Sequence, residues 1–120
     1  MNHPVSPSRL LSRFVAYRVA MEAARLVEVA APGWRRSALA DQARRAAASV
    51  ALNLAEGNAH PPGSAERRRY QRIALGSALE LEAALDVAAA AGLGDAAALA
   101  AALEVAGRSA ALCTGLCRSR

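Results

Sequence analysis

Polar and apolar positions recur with a helical period along almost the whole chain, and no stretch outside these patterns alternates with the period of two that a strand requires. Four helices follow, over residues 8–31, 37–58, 64–91 and 95–117. In the first, Leu10, Phe14, Tyr17, Met21 and Ala24 form one apolar stripe, and Val15, Val19 and Leu26 form a second about 120° away. Two stripes predict two neighbours. Ser6 or Ser8 can cap its start, and Ala31-Pro32-Gly33 ends it, because proline excludes a helical continuation. Trp34 falls in the connection and is expected to lie as a lid on the bundle end. The second helix has Ser37 for a cap. It closes at Gly57-Asn58, residues that tolerate a left-handed terminus, before the break Ala59-His60-Pro61-Pro62-Gly63. Ser64 caps the third helix, with Glu66 in its first turn where the helix dipole favours an acid. Gly92-Leu93-Gly94 separates it from a fourth helix capped by Asp95. The body of that helix carries only Glu104 and Arg108 as charges, so it should be among the most buried. Four helices of similar length joined by short breaks predict an all-α, antiparallel up-down four-helix bundle spanning the chain as a single domain, 1–120.

One stretch breaks the amphipathic rule. Wound as a helix, Gln42, Arg45, Ala46, Ser49, Asn53, Glu56 and Gly57 fall within a sector of about 120°, between Leu39, Val50 and Leu54 on one side and Leu52 on the other. An amphipathic helix places its polar groups opposite its leucines, so this face either lines a site or is a seam whose polar groups bond to one another. The third helix repeats the anomaly, with Ser77 and Glu80 inside the stripe of Glu66, Tyr70, Ile73, Leu81, Ala84 and Ala88. The expectation is a buried polar network of Gln42, Arg45, Ser49, Asn53, Glu56, Ser77 and Glu80 locking the two helices together. On the opposite face of the third helix, Leu75 and Leu79 sit among Arg68, Arg72, Glu82 and Asp86. An apolar pair rimmed by charges of both signs is what a subunit interface presents, and these two leucines are the oligomer-interface candidates.

Composition changes this picture in two ways. Of 120 residues 33 are alanine, and all 15 basic residues are arginine. Both residues favour helix, but so small a side chain leaves little bulk for a core, which again favours association. The formal net charge is +5, which leans toward an anionic partner such as nucleic acid. Candidate phosphate contacts are Arg35, Arg36 and Arg44 near the start of the second helix, and Arg67, Arg68 and Arg72 on the third. The bland reading of these arginines is a solvated surface on an arginine-biased chain. Pro4 and Pro7 interrupt an N-terminus without an apolar run, and no segment reads as a membrane span, so a cytoplasmic location and no membrane partner are expected. Cys113 and Cys117, with no nearby His, read as small reduced core residues.

Candidate chemistry is sparse. A di-iron bundle needs Glu-x-x-His pairs, and neither His3 nor His60 follows a Glu at that spacing. Ser49 and Ser77 have no base in reach for nucleophilic catalysis. A helical ribonuclease of the HEPN type needs a His shortly after an Arg on one helix, and the nearest Arg before His60 is Arg45. Phosphate-binding glycine loops and dinucleotide fingerprints are absent. Glu56 and Glu80 could pair for acid-base work, but Arg45 and Asn53 beside them favour a structural network. The chain is therefore expected not to be an enzyme and to hold no cofactor and no metal.

The string Leu39-x-Asp41-Gln42-x-x-Arg45-Ala46-x-x-Ser49-Val50-x-x-Asn53-Leu54-Ala55-Glu56-Gly57, followed by Glu66, Tyr70, Ile73-Ala74 and Gly76-Ser77-x-x-Glu80-Leu81-Glu82, resembles a bacterial four-helix-bundle family. That family includes proteins encoded within intervening sequences of 23S ribosomal RNA genes. The resemblance is close over the second and third helices and looser over the first, through Phe14, Tyr17 and Ala20. It departs from the pattern at Ala40, where a Ser or Thr is usual, which leaves the cap to Ser37. It implies a compact bundle assembling into a homo-oligomeric ring, a homopentamer, and it carries no established molecular function. The architecture is also similar to that of the accessory proteins of diversity-generating retroelements, which form basic pentameric barrels. Two functions remain in view: a non-catalytic assembly binding nucleic acid through surface arginines, or a structural or adaptor ring that docks a protein partner.

Overall fold

The computed structural model describes residues 14–118. They form four α-helices, α1 (Val15–Ala30), α2 (Ser37–Gly57), α3 (Ala65–Ala90) and α4 (Ala96–Arg118), with one 3-10 turn, Ala31–Gly33, closing α1. No strand occurs among the described residues. The predicted cap at Ser6 or Ser8 and the stripe position Leu10 lie outside them. Each helix packs against two others in a closed cycle, α1 on α2, α2 on α3, α3 on α4 and α4 on α1. The register of α2 and α3 is antiparallel: Gly57 lies against Tyr70, and Ser49 against Ser77.

The helix starts follow their caps where a cap exists. The Ser64 hydroxyl accepts from the Arg67 amide at 3.2 Å, and the Asp95 carboxylate accepts from the Ala98 amide at 2.8 Å. Ser37 makes no such bond. The Arg36 carbonyl already accepts from the Ala40 amide at 3.1 Å, so α2 begins with Arg36 as its cap residue and Ser37 inside the first turn. The left-handed terminus expected at Gly57-Asn58 is also absent, since Asn58 keeps a right-handed φ of −69°. Gly57 serves a different purpose: a Cβ there would come within 3.2 Å of the Tyr70 Cβ, so its absence lets α3 approach α2.

Small residues set the core. Seventeen of the 26 buried apolar residues among those described are alanine, and Leu54, Leu81 and Leu85 are the largest side chains fully enclosed. Alanine allows helix axes to approach closely, and the bulky residues that do not fit between them move to the flanks. Phe14, Tyr17, Leu26, Leu75, Leu112 and Leu116 are accordingly half-buried, packed against the core from its edges. Trp34 is the exception, buried beside Gly94 where the α1–α2 and α3–α4 connections meet, as its place in the sequence predicts.

α4 departs from expectation. It has six buried residues of 23, against eight of 21 in α2, and its outer side carries Ala97, Ala100, Ala101 and Ala111 in contact with solvent. It is also long and apolar enough, by length and composition alone, to cross a membrane, with 33% of its most apolar stretch buried. Alanine explains both corrections: it raises mean hydropathy without adding bulk that must be hidden.

Candidate nucleic-acid interface

The end of the bundle where α2 passes into α3 is the most elaborately bonded part of the surface. The connection is drawn tight by His60 N donating to the Gly57 carbonyl at 3.0 Å and Ser64 N donating to that of Pro61 at 3.0 Å. Arg67 reaches back across it, donating to the His60 carbonyl at 3.2 Å and to Asn58 Oδ1 at 2.6 Å. The Arg68 guanidinium donates to the Gly63 carbonyl. Held in this way, the His60 ring stacks on Tyr70 with centroids 5.5 Å apart and planes 9° from parallel.

The six candidate arginines are not brought together. Arg35 and Arg36 lie exposed at the far end of the bundle. Arg44 bridges helices: its Nε sits 3.1 Å from Glu28 of α1, and its Nη1 3.6 Å from Asp41. It is a structural partner of two acids and leaves the set of phosphate contacts. Arg67, Arg68 and Arg72 share the α2–α3 end, and Arg69, not among the six candidates, joins them there as an exposed residue. The antiparallel order of helices adds Arg18, Arg108 and Arg118 to the same half, which among the described residues holds seven arginines and three acids, Glu22, Glu56 and Glu66. The opposite half, counted over the same described residues, holds five arginines against seven acids. Charge is therefore polarised along the bundle.

The polar stripe of α2 and α3 is bonded only at its centre. Ser49 Oγ and Ser77 Oγ are 2.7 Å apart, and Asn53 Nδ2 donates to the Ser49 carbonyl at 2.8 Å and to its hydroxyl at 3.0 Å. All three residues are half-buried. Gln42, Arg45, Glu56 and Glu80 are exposed, so the expected buried network of seven shrinks to a three-residue clasp. The reason is rotation. The centre of the buried face of α2, marked by Ala43, Ala47, Val50 and Leu54, is turned about 110° from the centre of the polar sector, which therefore looks outward alongside α3.

Leu75 and Leu79 also part company. Leu75 packs against the core cluster around Leu54 and Cys113, whereas Leu79 is 53% exposed. On α2, Leu52 is 68% exposed. Both cysteines are free, Cys113 buried and Cys117 half-buried. Burial pushes the Cys113 thiol up to about 11, with Cys117 adding to the rise, and burial likewise raises Cys117 against the pull of Arg72. Thiols held protonated at neutral pH are poor nucleophiles and poor metal ligands. No group of three or more His, Cys, Asp or Glu among the described residues is placed to hold a metal ion. One apolar recess of about 210 Å³ opens between the end of α3 and the start of α4, lined by Ala89, Leu93, Leu99 and Leu103 among others.

His60 and Tyr70 were visible in the sequence only separately, one as a loop residue unsuited to ligate metal and the other as part of an apolar stripe. Their pairing could have been found from the antiparallel register: Gly57 marks where Tyr70 must lie, and the loop residue three positions later falls over it.

No curated protein is similar to this chain at a meaningful level. A family model described as 23S rRNA-intervening sequence protein matches residues 13–113, which takes in α1, α2, α3 and most of α4. With that match covering most of the chain, the chain belongs to the 23S rRNA-intervening sequence protein family.

Proposed function

We propose that this protein is a non-catalytic, oligomeric helical-bundle protein of the cytoplasm that binds nucleic acid through the arginine-rich end of the bundle. The observation that carries the reading is the polarised charge. A net excess of arginine in one half, with an acid excess in the other, presents a positive surface to phosphates and orients the molecule on them. Arg18, Arg69 and Arg72 are exposed there, while Arg67 and Arg68 shape the loop between them. The family resemblance supports a homopentameric ring. In cyclic symmetry with the bundle axes side by side, every basic end would share one face of the ring, and the field would grow with copy number.

A second reading, a structural or adaptor ring that docks a protein partner, is favoured by the apolar exposure of Leu52 and Leu79. Binding of generic RNA and DNA across a salt titration separates the two. The nucleic-acid reading expects affinity at low salt that falls linearly in log–log form as salt rises. Undetectable affinity at low salt, or affinity indifferent to salt, leaves the adaptor reading in its place.

A further inference from the structure

We propose that the stacked His60–Tyr70 pair is a platform for the unpaired bases of single-stranded nucleic acid, an inference that rests on the nucleic-acid reading above and names the form of the ligand.

Three observations converge on it. The chain has one Trp, two Tyr and one Phe; Trp34 is buried at the acidic end, while Phe14, Tyr17 and Tyr70 all lie in the basic half, together with His60 and none of them fully buried. A molecule so poor in aromatic residues has thus placed its partly accessible rings beside its arginines. Second, the pair is fixed in place before any ligand arrives. Gly57 admits Tyr70 against α2, and the His60 backbone is bonded on both sides, its amide to Gly57 and its carbonyl to Arg67. A ring whose orientation is already set loses little freedom when a base stacks on it. Third, the charges and the rings are neighbours in the chain: Arg67, Arg68 and Arg69 precede Tyr70 directly, with Arg68 and Arg69 exposed.

The geometry selects the ligand. In a duplex the faces of the bases are covered by their neighbours, and only phosphates and groove edges are on offer. Unpaired bases expose a π-face that stacks on an aromatic ring whatever the sequence, while arginines follow the backbone. Arginines alone would serve either form, but a ring pair adds something only for the single strand.

The test uses the full chain and fluorescence anisotropy at low salt, with labelled oligonucleotides of about a dozen nucleotides: single-stranded RNA, single-stranded DNA, and the DNA duplex of the same sequence. The expected result is single strands bound about tenfold more tightly than the duplex. His60→Ala should weaken single-strand binding by about five- to tenfold, with the duplex affinity and the salt slope unchanged, and His60→Phe, which keeps a ring, should bind as the parent does. RNA and DNA bound alike, or RNA preferred, both support the platform, the second adding a contact to the 2′-hydroxyl. Equal affinity for single strand and duplex, unaltered by His60→Ala, overturns the platform while the nucleic-acid reading stands. His60→Phe losing as much binding as His60→Ala also overturns it. No binding of any of the three at low salt overturns both readings together.

Discussion

Gly94 is the residue on which the acidic end of the bundle closes. Its φ is +65°, and a Cβ on it would come within 2.8 Å of Trp34 Cδ1 and 3.2 Å of Nε1. Gly92, two residues earlier, has the same φ of +65° but nothing within 4 Å of the same position. The two glycines therefore separate a backbone requirement from a packing requirement. Gly92→Ala is expected to cost about 1 kcal/mol, the penalty of a left-handed alanine, and Gly94→Ala about 2–4 kcal/mol, because displacement of the indole is added to the same penalty. Denaturant melts of the two variants measure the difference, and equal losses would mean that Trp34 is not held by this contact. The residue scale is also where the sequence was most informative. Ser64, Asp95 and Trp34 do what their positions predict, because a cap or a lone indole beside a turn has few other roles open to it.

At the scale of the helix, structure and sequence pattern part wherever alanine decides the outcome. The leucines that flank the polar sector of α2 point to it as the inner face, yet the inner face belongs to Ala40, Ala43, Ala47 and Ala51 with Val50 and Leu54. A hydropathy pattern weights residues by transfer free energy, in which alanine counts for little, while packing selected it here for its size. In α4 the scarcity of charge points to depth, yet alanines such as Ala97, Ala100, Ala101 and Ala111 sit at the surface at little cost, and Leu75 and Leu79 differ although the helical pattern treats them as equals. Once Leu75 is assigned to the core, Leu79 remains exposed on α3, on the helix face it shares with Arg72 and Asp86 two turns to either side. Leu79→Glu is expected to change the melt of the isolated bundle by no more than about 0.5 kcal/mol. The oligomer of the proposed function should nevertheless dissociate, so that light scattering at micromolar concentration reports a lower mass than for the parent. A mass unchanged by this substitution would place the assembly contact elsewhere, with the outward Leu52 the next to alter.

For the whole molecule, the legible part was the bundle and the hidden part was its polarity. Net charge is a sum and carries no direction; it became a direction only when the antiparallel order placed Arg18, Arg108 and Arg118 alongside the arginines of α3. Paired variants test that direction. Arg69→Gln with Arg72→Gln, at the basic end, is expected to weaken RNA binding by about tenfold and to lower the salt slope by nearly two. Arg35→Gln with Arg36→Gln removes the same charge from the other end and is expected to change the affinity far less. Equal losses would show that binding follows total charge rather than the end that bears it. The alanine core has one more consequence for the molecule as a whole. Apart from Leu54, Leu81, Leu85, Val27 and Val50, the interior has little left to remove, and over its alanines the vulnerable direction is growth. A methylene added at Ala20, Ala43, Ala78 or Ala106, each with no exposed surface, must push two helices apart. The bundle is bounded from above in volume, so its flanking leucines and valines should accept larger side chains that its buried alanines do not.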